Sequence, residues 1–346
     1  MKAKTFFIAV LAGILACFGA LTLLLSAEDP FFVLSGIGEG ETALFDNQRY
    51  QMAGLIRHQD YSAVVMGTSL VANYHASWFT GDTGEETLKI TFPDGWISEF
   101  DTALRLAFRT HPKLNRVFFC LDPNILVRPD SQRTVELPHY LYNLNPLDDV
   151  EYLFNADTYQ AALRTWMHRR LGRAVALDDA YIWDDGYVFN RETALRCYPR
   201  PEESPSALPG DAYLDAAREN LDVVCAWIEG HPGVRFNIWF PPYSILYWDK
   251  MTREGTADAI LTAVEYAAGR LLEYDNVSVH CFLGATEYIT NLDNYTDHVH
   301  CSGAVTRWVA YTVIQDGWQY TKENYRTQLG YLRAYIMGYD YESIFS

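Results

Sequence analysis

The sequence predicts an α/β fold in which a mainly parallel, five-stranded sheet lies between two layers of helices. Short apolar segments of strand length alternate with longer segments of helical periodicity, which is typical of this class. The segment "RVFFCLD" (116–122) is apolar almost throughout, as expected for a parallel strand that is covered on both faces. With 346 residues, about half of them hydrophobic, the chain is long enough to bury a substantial core.

The strands are recognised as short apolar runs, rich in β-branched and aromatic residues, that end near turn residues. The first run is followed by Gly67 and the second by Gly95. Five strands are predicted in this way, namely "SAVVM" (62–66), "LKITF" (88–92), "RVFFCLD" (116–122), "VRFNIWF" (234–240) and "NVSVHCF" (276–282).

The helices are recognised by apolar residues that recur every three or four positions. After Gly95, for example, Ile97, Phe100, Leu104 and Ala107 repeat at this spacing. The predicted helices are "QRYQMAGLIRH" (48–58), "LVANYHASWF" (70–79), 97–108, about 211–230, about 255–273, 305–313 and "YRTQLGYLRAYIMG" (325–338).

The middle of the chain, about 128–215, interrupts this alternation. It contains "LPHYLYNLNPLDDVEYLFN" (137–155), the acidic and aromatic "DDAYIWDDGYVFN" (178–190), and the loop "PRPEESPSALPGD" (199–211). We interpret it as a cap region inserted into the α/β domain.

The N-terminus predicts a membrane anchor. Lys2 and Lys4 precede an uncharged apolar run that continues to Ala27 and is long enough to cross a bilayer as a helix. A cleaved secretory signal is the alternative, but Leu25 occupies a position where a cleavage site needs a small residue. We therefore expect a retained single-pass signal-anchor at 1–27, a connector at 28–45, and an extracytoplasmic catalytic domain at 46–346, since basic residues stay in the cytoplasm.

The charge balance argues against one class of partner. The chain carries 27 Lys and Arg against 44 Asp and Glu, which gives a net charge of −17. Such a surface repels nucleic acid, so nucleic acid is excluded as a partner. The cysteines form no C-x-x-C pair, and no metal ion or other cofactor is predicted.

Ligands of parallel α/β sheets bind beyond the carboxyl ends of the strands, so the residues that follow each strand are the candidate site. These residues should gather on one rim of the sheet. In strand order they are Ser69, then Gly95, then Asp122 and Asn124, then Tyr243 in "FPPYS" (240–244), and finally Asp293, Asp297, His298 and His300 in "TNLDNYTDHVHCSG" (290–303).

Asp297 and His300 have the spacing of a pair that lies on one side of a helix or tight turn. A carboxylate in that place accepts from one imidazole nitrogen, and the other nitrogen is then free to take a proton from a serine. Ser69 would be the nucleophile, since a serine hydroxyl needs such a base. The backbone N–H groups of Ser69 and Gly95 are the candidate oxyanion donors. A metal site built from the same acidic and histidine residues is the weaker alternative, because no further ligand is suitably spaced.

The blocks "GTS" (67–69), Gly95 and "DHVH" (297–300) resemble the first, second and last blocks of the GDSL/SGNH hydrolases. The resemblance is closest to membrane-anchored bacterial members associated with cell-surface polysaccharide modification, through "DNQRYQ" (46–51), "GTS", "FPPYS" and "NLDNY" with the later histidine (291–300). It implies a flavodoxin-like SGNH fold, with Ser69 as nucleophile and Asp297 and His300 as the other members of a triad.

The chain departs from the family pattern at two places. The first block reads Gly-Thr-Ser instead of Gly-Asp-Ser. The third block, which in the family supplies an Asn side chain to the oxyanion hole, reads "CLDPN" (120–124), so Asp122 occupies that place and Asn124 is the candidate substitute. An ionised Asp122 would repel an oxyanion, so it must point elsewhere, be protonated, or serve the substrate in another way.

Other side chains of this rim are candidates for substrate contact. Asp122 and Tyr243 follow the third and fourth strands, and Trp183 or Tyr187 of the cap region could stack against sugar rings. A simple packing role of these two aromatic residues within the cap is the alternative interpretation.

The residues and the resemblance together predict an extracytoplasmic serine acyl esterase that removes O-acetyl groups from a cell-envelope glycan. Two alternatives stay open. One is an O-acyltransferase that uses the same triad to acylate a cell-surface polysaccharide, with a membrane-bound acyl donor protein as its partner. The other is a non-catalytic glycan-binding or assembly protein that has the same fold.

Overall fold

The computed structural model describes residues 3–145 and 147–346 of the chain. These residues form two compact units. The N-terminal unit contains the chain up to Gln59 together with Leu137–Ala180, and the sheet unit contains Asp60–Glu136 together with Tyr181–Ser346. Within the predicted cap region (about 128–215), Leu137–Ala180 therefore belongs to the N-terminal unit, and the residues on both sides of it belong to the sheet unit.

Strands and α-helices alternate along most of the described chain. The strands are β1 (Ala63–Gly67), β2 (Thr87–Thr91), β3 (Arg116–Cys120), β4 (Arg235–Phe240), β5 (Val277–Cys281) and β6 (Gln319–Tyr320). The helices are α1 (Ala3–Glu28), α2 (Gln48–His58), α3 (Ser69–Ala72), α4 (Ala76–Thr83), α5 (Ile97–Thr110), α6 (Pro123–Leu126), α7 (Val150–Leu153), α8 (Ala156–Arg170), α9 (Arg191–Arg196), α10 (Leu214–Gly230), α11 (Ile245–Arg253), α12 (Ala257–Leu271), α13 (Thr286–Ile289), α14 (Gly303–Ile314) and α15 (Tyr325–Met337).

The sheet unit contains one six-stranded sheet with the order β2-β1-β3-β4-β5-β6. Strands β1 to β5 are parallel to one another, as predicted. Every residue of β1 is buried. The predicted number of five strands is wrong by one, because β6 pairs antiparallel with β5 at the edge. Two residues are too short a run to show the alternation by which a strand is recognised.

The helices of the sheet unit form two groups. The strand order reverses at β1, and right-handed crossovers therefore place α4 and the helices α5, α10 and α12 on opposite faces. Helix α10 packs against both α5 and α12, while α14, which leads to the antiparallel β6, packs beside α4 on the other face. This arrangement is consistent with the predicted three-layer α/β fold.

The N-terminal unit begins with α1, which is, within the described residues, the one helix long and apolar enough to cross a membrane. An anchor and a signal sequence share these properties. The segment 29–45 that follows forms no helix or strand apart from a bridge at Ala43. It is nevertheless fixed to α2, since the Gln51 amide donates to the carbonyls of Pro30 and Leu44 at 2.9 and 2.7 Å.

Gly54 on α2 is expected to be intolerant of any side chain. A Cβ at this position would lie 2.3 Å from the carbonyl oxygens of both Phe31 and Phe32. Because backbone carbonyls cannot move aside cheaply, Gly54→Ala should lower the free energy of unfolding by about 3 kcal/mol, measured by urea denaturation in detergent. Gly330→Ala is the matched control, since an added Cβ on α15 meets no atom within 4 Å and should stabilise the helix slightly. Equal effects of the two changes would contradict the prediction.

Candidate active site

Ser69 lies at the start of α3, immediately beyond the carboxyl end of β1. Gly67, the last residue of β1, has no room for a side chain, because a Cβ there would lie 2.5 Å from Val71 Cγ2 and 2.9 Å from Cys120 Cβ. The buried Lys89 ammonium of β2 donates to the carbonyls of Ala72 and Tyr74, both at 2.7 Å, and so holds the end of α3. The nucleophile candidate is thus placed on a turn that is fixed on both sides.

Ser69, His300 and Asp297 form one continuous chain of hydrogen bonds. The Ser69 hydroxyl lies 2.9 Å from Nε2 of His300, and Nδ1 of His300 lies 2.7 Å from Oδ2 of Asp297. Since a carboxylate only accepts, Nδ1 carries the proton of the neutral ring, and Nε2 is the acceptor for the serine proton. The structure therefore brings together the three residues that the sequence singles out, in the order that nucleophilic catalysis needs.

Asp297 is held by its own turn and not by a helix. Its Oδ1 accepts from the backbone N–H groups of Val299 and His300, both at 2.8 Å, and the N–H of Thr296 closes the turn onto the carbonyl of His300. Burial raises the pKa of Asp297, but the hydrogen bond from the His300 ring, the charge of that ring when it is protonated, and the two backbone donors together lower it more. The net result is a pKa below the ordinary value, so this group stays a carboxylate beside the imidazole.

The lowered pKa of Asp297 predicts how its contribution to stability depends on pH. A depressed folded-state pKa gives stability that is fully present above the ordinary value of 3.8 and is lost as the pH falls through the folded-state pKa. The difference in unfolding free energy between wild type and Asp297→Asn should therefore shrink as the pH falls below about 4, where Asp297 takes up its proton. Urea denaturation at several pH values between about 5 and 2 measures it. A difference that grows as the pH falls through this range would contradict the assignment.

Trp183 lies against the catalytic histidine candidate. Its ring meets the His300 ring edge-on, with centroids 5.0 Å apart and an interplanar angle of 86°. The backbone N–H of Trp183 donates to the Asn73 side chain at 3.0 Å, while its buried indole N–H has no partner among the described residues. Tyr187, which contacts Trp183, is exposed. The placement of Trp183 is suited to restricting the orientation of the imidazole as well as to contact with a ligand.

The predicted oxyanion donors differ in their surroundings. The N–H of Ser69 is at the first helical position, which has no carbonyl partner within the helix. The N–H of Gly95, in contrast, donates to the carbonyl of Phe92 at 2.9 Å. This hydrogen bond closes the turn after β2. One N–H of the Asn124 amide donates to the Tyr243 hydroxyl at 2.9 Å, and its second N–H has no partner among the described residues. The geometry thus favours Ser69 and Asn124 over Gly95.

Asp122 is buried beneath the site and accepts three hydrogen bonds. The donors are the Thr68 hydroxyl at 3.2 Å, the Asn124 backbone N–H at 2.8 Å, and the Tyr243 hydroxyl. Burial raises the pKa of Asp122, and these three hydrogen bonds oppose the rise. Asp122 thus connects Thr68, the residue before Ser69, with Asn124, and this threonine belongs to the Gly-Thr-Ser block that departs from the family pattern.

An ion pair at the rim was not evident from the sequence. The Arg128 guanidinium donates to the Asp94 carboxylate and to the Gly95 carbonyl, both at 2.7 Å, and lies 3.6 Å from the centre of the Trp96 ring. Asp94 has a positive φ of 49° and lines the cleft at Ser69, whereas Arg128 falls within the predicted cap region. Only the folded chain brings these residues together, because they are far apart in sequence.

The remaining acidic and histidine residues of 293–300 do not converge on one point. Asp293 accepts the backbone N–H of Arg191 at 2.9 Å, and the His298 ring packs near Tyr198. Burial lowers the pKa of His298. Within the described residues, no group of three or more His, Cys, Asp or Glu side chains is arranged to hold a metal ion.

The site lies at the point where the strand order reverses, between the carboxyl ends of β1 and β3, which is the usual ligand position in doubly wound sheets. A cleft of about 230 Å³ lies over Ser69 and His300, and Asn124, Tyr243 and Val299 also line it. No protein-family model and no curated protein matches this chain.

Proposed function

We propose that the protein is an extracytoplasmic serine acyl esterase of the SGNH type, with a flavodoxin-like sheet and a membrane anchor at its N-terminus. The observation that carries the proposal is the chain of hydrogen bonds from Ser69 through His300 to Asp297, at 2.9 and 2.7 Å. Support for the SGNH type comes from the strand order and from the position of Ser69 beyond β1.

In the proposed reaction, Nε2 of His300 takes the hydroxyl proton as Ser69 Oγ attacks the ester carbonyl. Asp297 stabilises the imidazolium that forms. The N–H of Ser69 and the second amide N–H of Asn124 stabilise the oxyanion. His300 then gives its proton to the leaving alcohol, and water releases the acyl group from Ser69 by the reverse sequence of proton transfers.

The cleft suggests the kind of substrate. A volume of about 230 Å³ suits a short acyl group such as acetyl better than a long chain. The exposed Tyr187 ring beside Trp183 offers a surface for a sugar next to the acyl group. An O-acetylated glycan of the cell envelope fits these features and the location outside the membrane.

Retention of the anchor is supported by packing. Leu25 near the end of α1 is completely buried in the N-terminal unit, and Phe18 stacks on Phe154 with ring centroids 5.4 Å apart. Removal of α1 as a cleaved signal would expose the surface of α8 on which α1 packs. We therefore favour a single-pass anchor over a cleaved peptide.

A fluorophosphonate serine probe tests the proposal on the full chain in detergent micelles. Intact-mass analysis should find one adduct on wild type and on Ser343→Ala, a change at an exposed serine, and none on Ser69→Ala or His300→Ala. An unlabelled but folded wild type would favour the non-catalytic binding protein. With labelling established, mass spectrometry of an O-acetylated oligosaccharide and an unacetylated acceptor distinguishes hydrolysis from acyl transfer.

A further inference from the structure

A second cavity of the sheet unit, of about 430 Å³, lies apart from the cleft at Ser69. It is bounded by Gly284 and Thr286 after β5, by Trp318 and strand β6, and by one side of α15, and we call it the edge cavity. Strand β6 is at one edge of the sheet, whereas Ser69 lies between β1 and β3, and the two cavities share no lining residue. The volume of the edge cavity is in the range of sites that hold small ligands.

Aromatic rings form much of the wall of the edge cavity. The Trp318 ring lies almost parallel to that of Phe282, with centroids 6.0 Å apart and an interplanar angle of 26°, and Trp308 meets it edge-on at 5.8 Å. Phe282 is completely buried, but Trp318 is 46% exposed. The indole is thus supported from behind and partly open to the cavity. Tyr331 and Tyr335 of α15 also line the cavity, and Tyr331 is 68% exposed.

The backbone at Trp318 is held in a conformation that bulky residues rarely adopt, with a positive φ of 52°. The N–H of Cys281 donates to the carbonyl of Trp318 at 3.2 Å, and Nδ1 of the His280 ring lies 2.7 Å from the carbonyl of Gly317. Strand β5 therefore fixes the turn that presents the indole to the edge cavity. Strained positions that the surrounding structure fixes in this way are frequent at binding sites.

The polar side chains of the edge cavity carry no charge. Gln319, Asn324 and Gln328 contribute amides, and the amides of Gln319 and Gln328 form no hydrogen bond within the part of the chain that the structure describes. No Asp, Glu, Lys or Arg among the described residues lines the cavity, although 21% of the chain is charged. The cavity therefore suits an uncharged ligand that both donates and accepts hydrogen bonds.

A neutral sugar has these properties. The C–H groups on one face of a pyranose ring lie against an aromatic ring, and its hydroxyls donate to and accept from amides. An anionic sugar would find no cation in the edge cavity. A proline-rich peptide also binds to aromatic grooves, but proline has no N–H to donate to the amide oxygens of Gln319 and Gln328.

We infer that the edge cavity is a glycan-binding site, in which a short stretch of an uncharged polysaccharide lies against Trp318 and Tyr331 while Gln319 and Gln328 bind its hydroxyls. Rigid tryptophan and tyrosine rings supply such contact area at a low cost in conformational entropy. The inference goes beyond the proposed esterase and does not depend on it, because no residue of the Ser69 cleft lines the edge cavity. Failure of the fluorophosphonate test would leave it intact.

Titration calorimetry tests the inference with the full chain in phosphatidylcholine nanodiscs, which avoid detergents that carry a sugar. The probes are cellohexaose, maltohexaose and the hexamer of N-acetylglucosamine, with hexagalacturonate as the anionic comparison. At least one neutral probe should bind about tenfold more tightly than hexagalacturonate, and Ser69→Ala should bind it as wild type does. Binding of no neutral probe, equal binding of hexagalacturonate, or loss of binding in Ser69→Ala would each overturn the inference.

Tyr331→Ala locates the bound sugar. Because the Tyr331 side chain is 68% exposed, its removal should leave the free energy of unfolding nearly unchanged, whereas binding of the neutral probe should weaken about tenfold. Tyr311→Ala is the matched control, since this tyrosine of α14 is 58% exposed and does not line the edge cavity. It should bind as wild type does. Equal affinities of Tyr331→Ala and Tyr311→Ala would overturn the inference.

Gln328→Leu tests the amides, because it keeps the approximate size of the side chain and removes its donors and acceptor. Binding of the neutral probe should weaken several-fold, and Gln315→Leu, a change at an exposed glutamine outside the edge cavity, should have no effect. Unchanged affinity of Gln328→Leu would contradict the assigned role of this amide. A proline-rich decapeptide that binds more tightly than every sugar, and not to Tyr331→Ala, would overturn the inference and assign the cavity to a peptide.

Discussion

Asp297→Asn is expected to slow the fluorophosphonate labelling of Ser69 by about 10⁴-fold. Oδ1 of Asp297 accepts two backbone N–H groups, so an asparagine oxygen must take that place and its NH₂ group must face His300. Nδ1 of the imidazole would then have to accept, and the ring proton would move to Nε2, opposite the Ser69 hydroxyl. A base that already carries a proton at Nε2 cannot take another from the serine.

The rate of adduct formation, followed by intact mass over time, measures this effect. Asp293→Asn is the matched control, because Asp293 lies on the same segment and its carboxylate, among the described residues, accepts only the backbone N–H of Arg191. It should label at the rate of wild type. A decrease of less than tenfold in Asp297→Asn would exclude Asp297 as the residue that sets the tautomer of His300.

Asp122→Ala is expected to produce the largest loss of stability among side chains at the site, about 3 kcal/mol or more in the free energy of unfolding. The change removes the acceptor of three donors, namely Thr68, the backbone of Asn124, and Tyr243. Tyr243 is buried, so its hydroxyl cannot turn to water for a replacement. Labelling of Ser69 should also slow, because Thr68 precedes Ser69 and Asn124 is a proposed donor to the oxyanion.

Urea denaturation in detergent, followed by tryptophan fluorescence, measures the loss of stability. Asp122→Asn is the conservative control, since its oxygen still accepts from the Asn124 N–H, and it should cost less than half as much as Asp122→Ala. Similar stabilities of Asp122→Ala and wild type would show that the buried carboxylate does not hold the three donors. Loss of labelling at unchanged stability would instead point to direct contact with the substrate.

Long periodic segments were predicted well from the sequence. The helix at 48–58 has the predicted limits, and the strands β1 to β5 lie within one residue of their predicted starts. The predicted helix at 70–79 is divided into α3 and α4, because Asn73 leaves the helical path and Lys89 binds the carbonyls of Ala72 and Tyr74. Because Lys89 belongs to the neighbouring strand β2, the sequence of 70–79 alone does not predict this contact.

The sequence by itself determined the α/β class, the apolar N-terminal helix, and which residues follow the strands, because hydrophobic periodicity records which side of each element is buried. Only the tertiary structure decided how those residues are used. It brought the Ser69 hydroxyl to the His300 ring across 231 positions, directed the N–H of Gly95 to the carbonyl of Phe92, and placed the Asp122 carboxylate as an acceptor for the Thr68 hydroxyl. Hydrogen bonds form between groups that folding brings to within about 3 Å, and that proximity is a property of the packed chain.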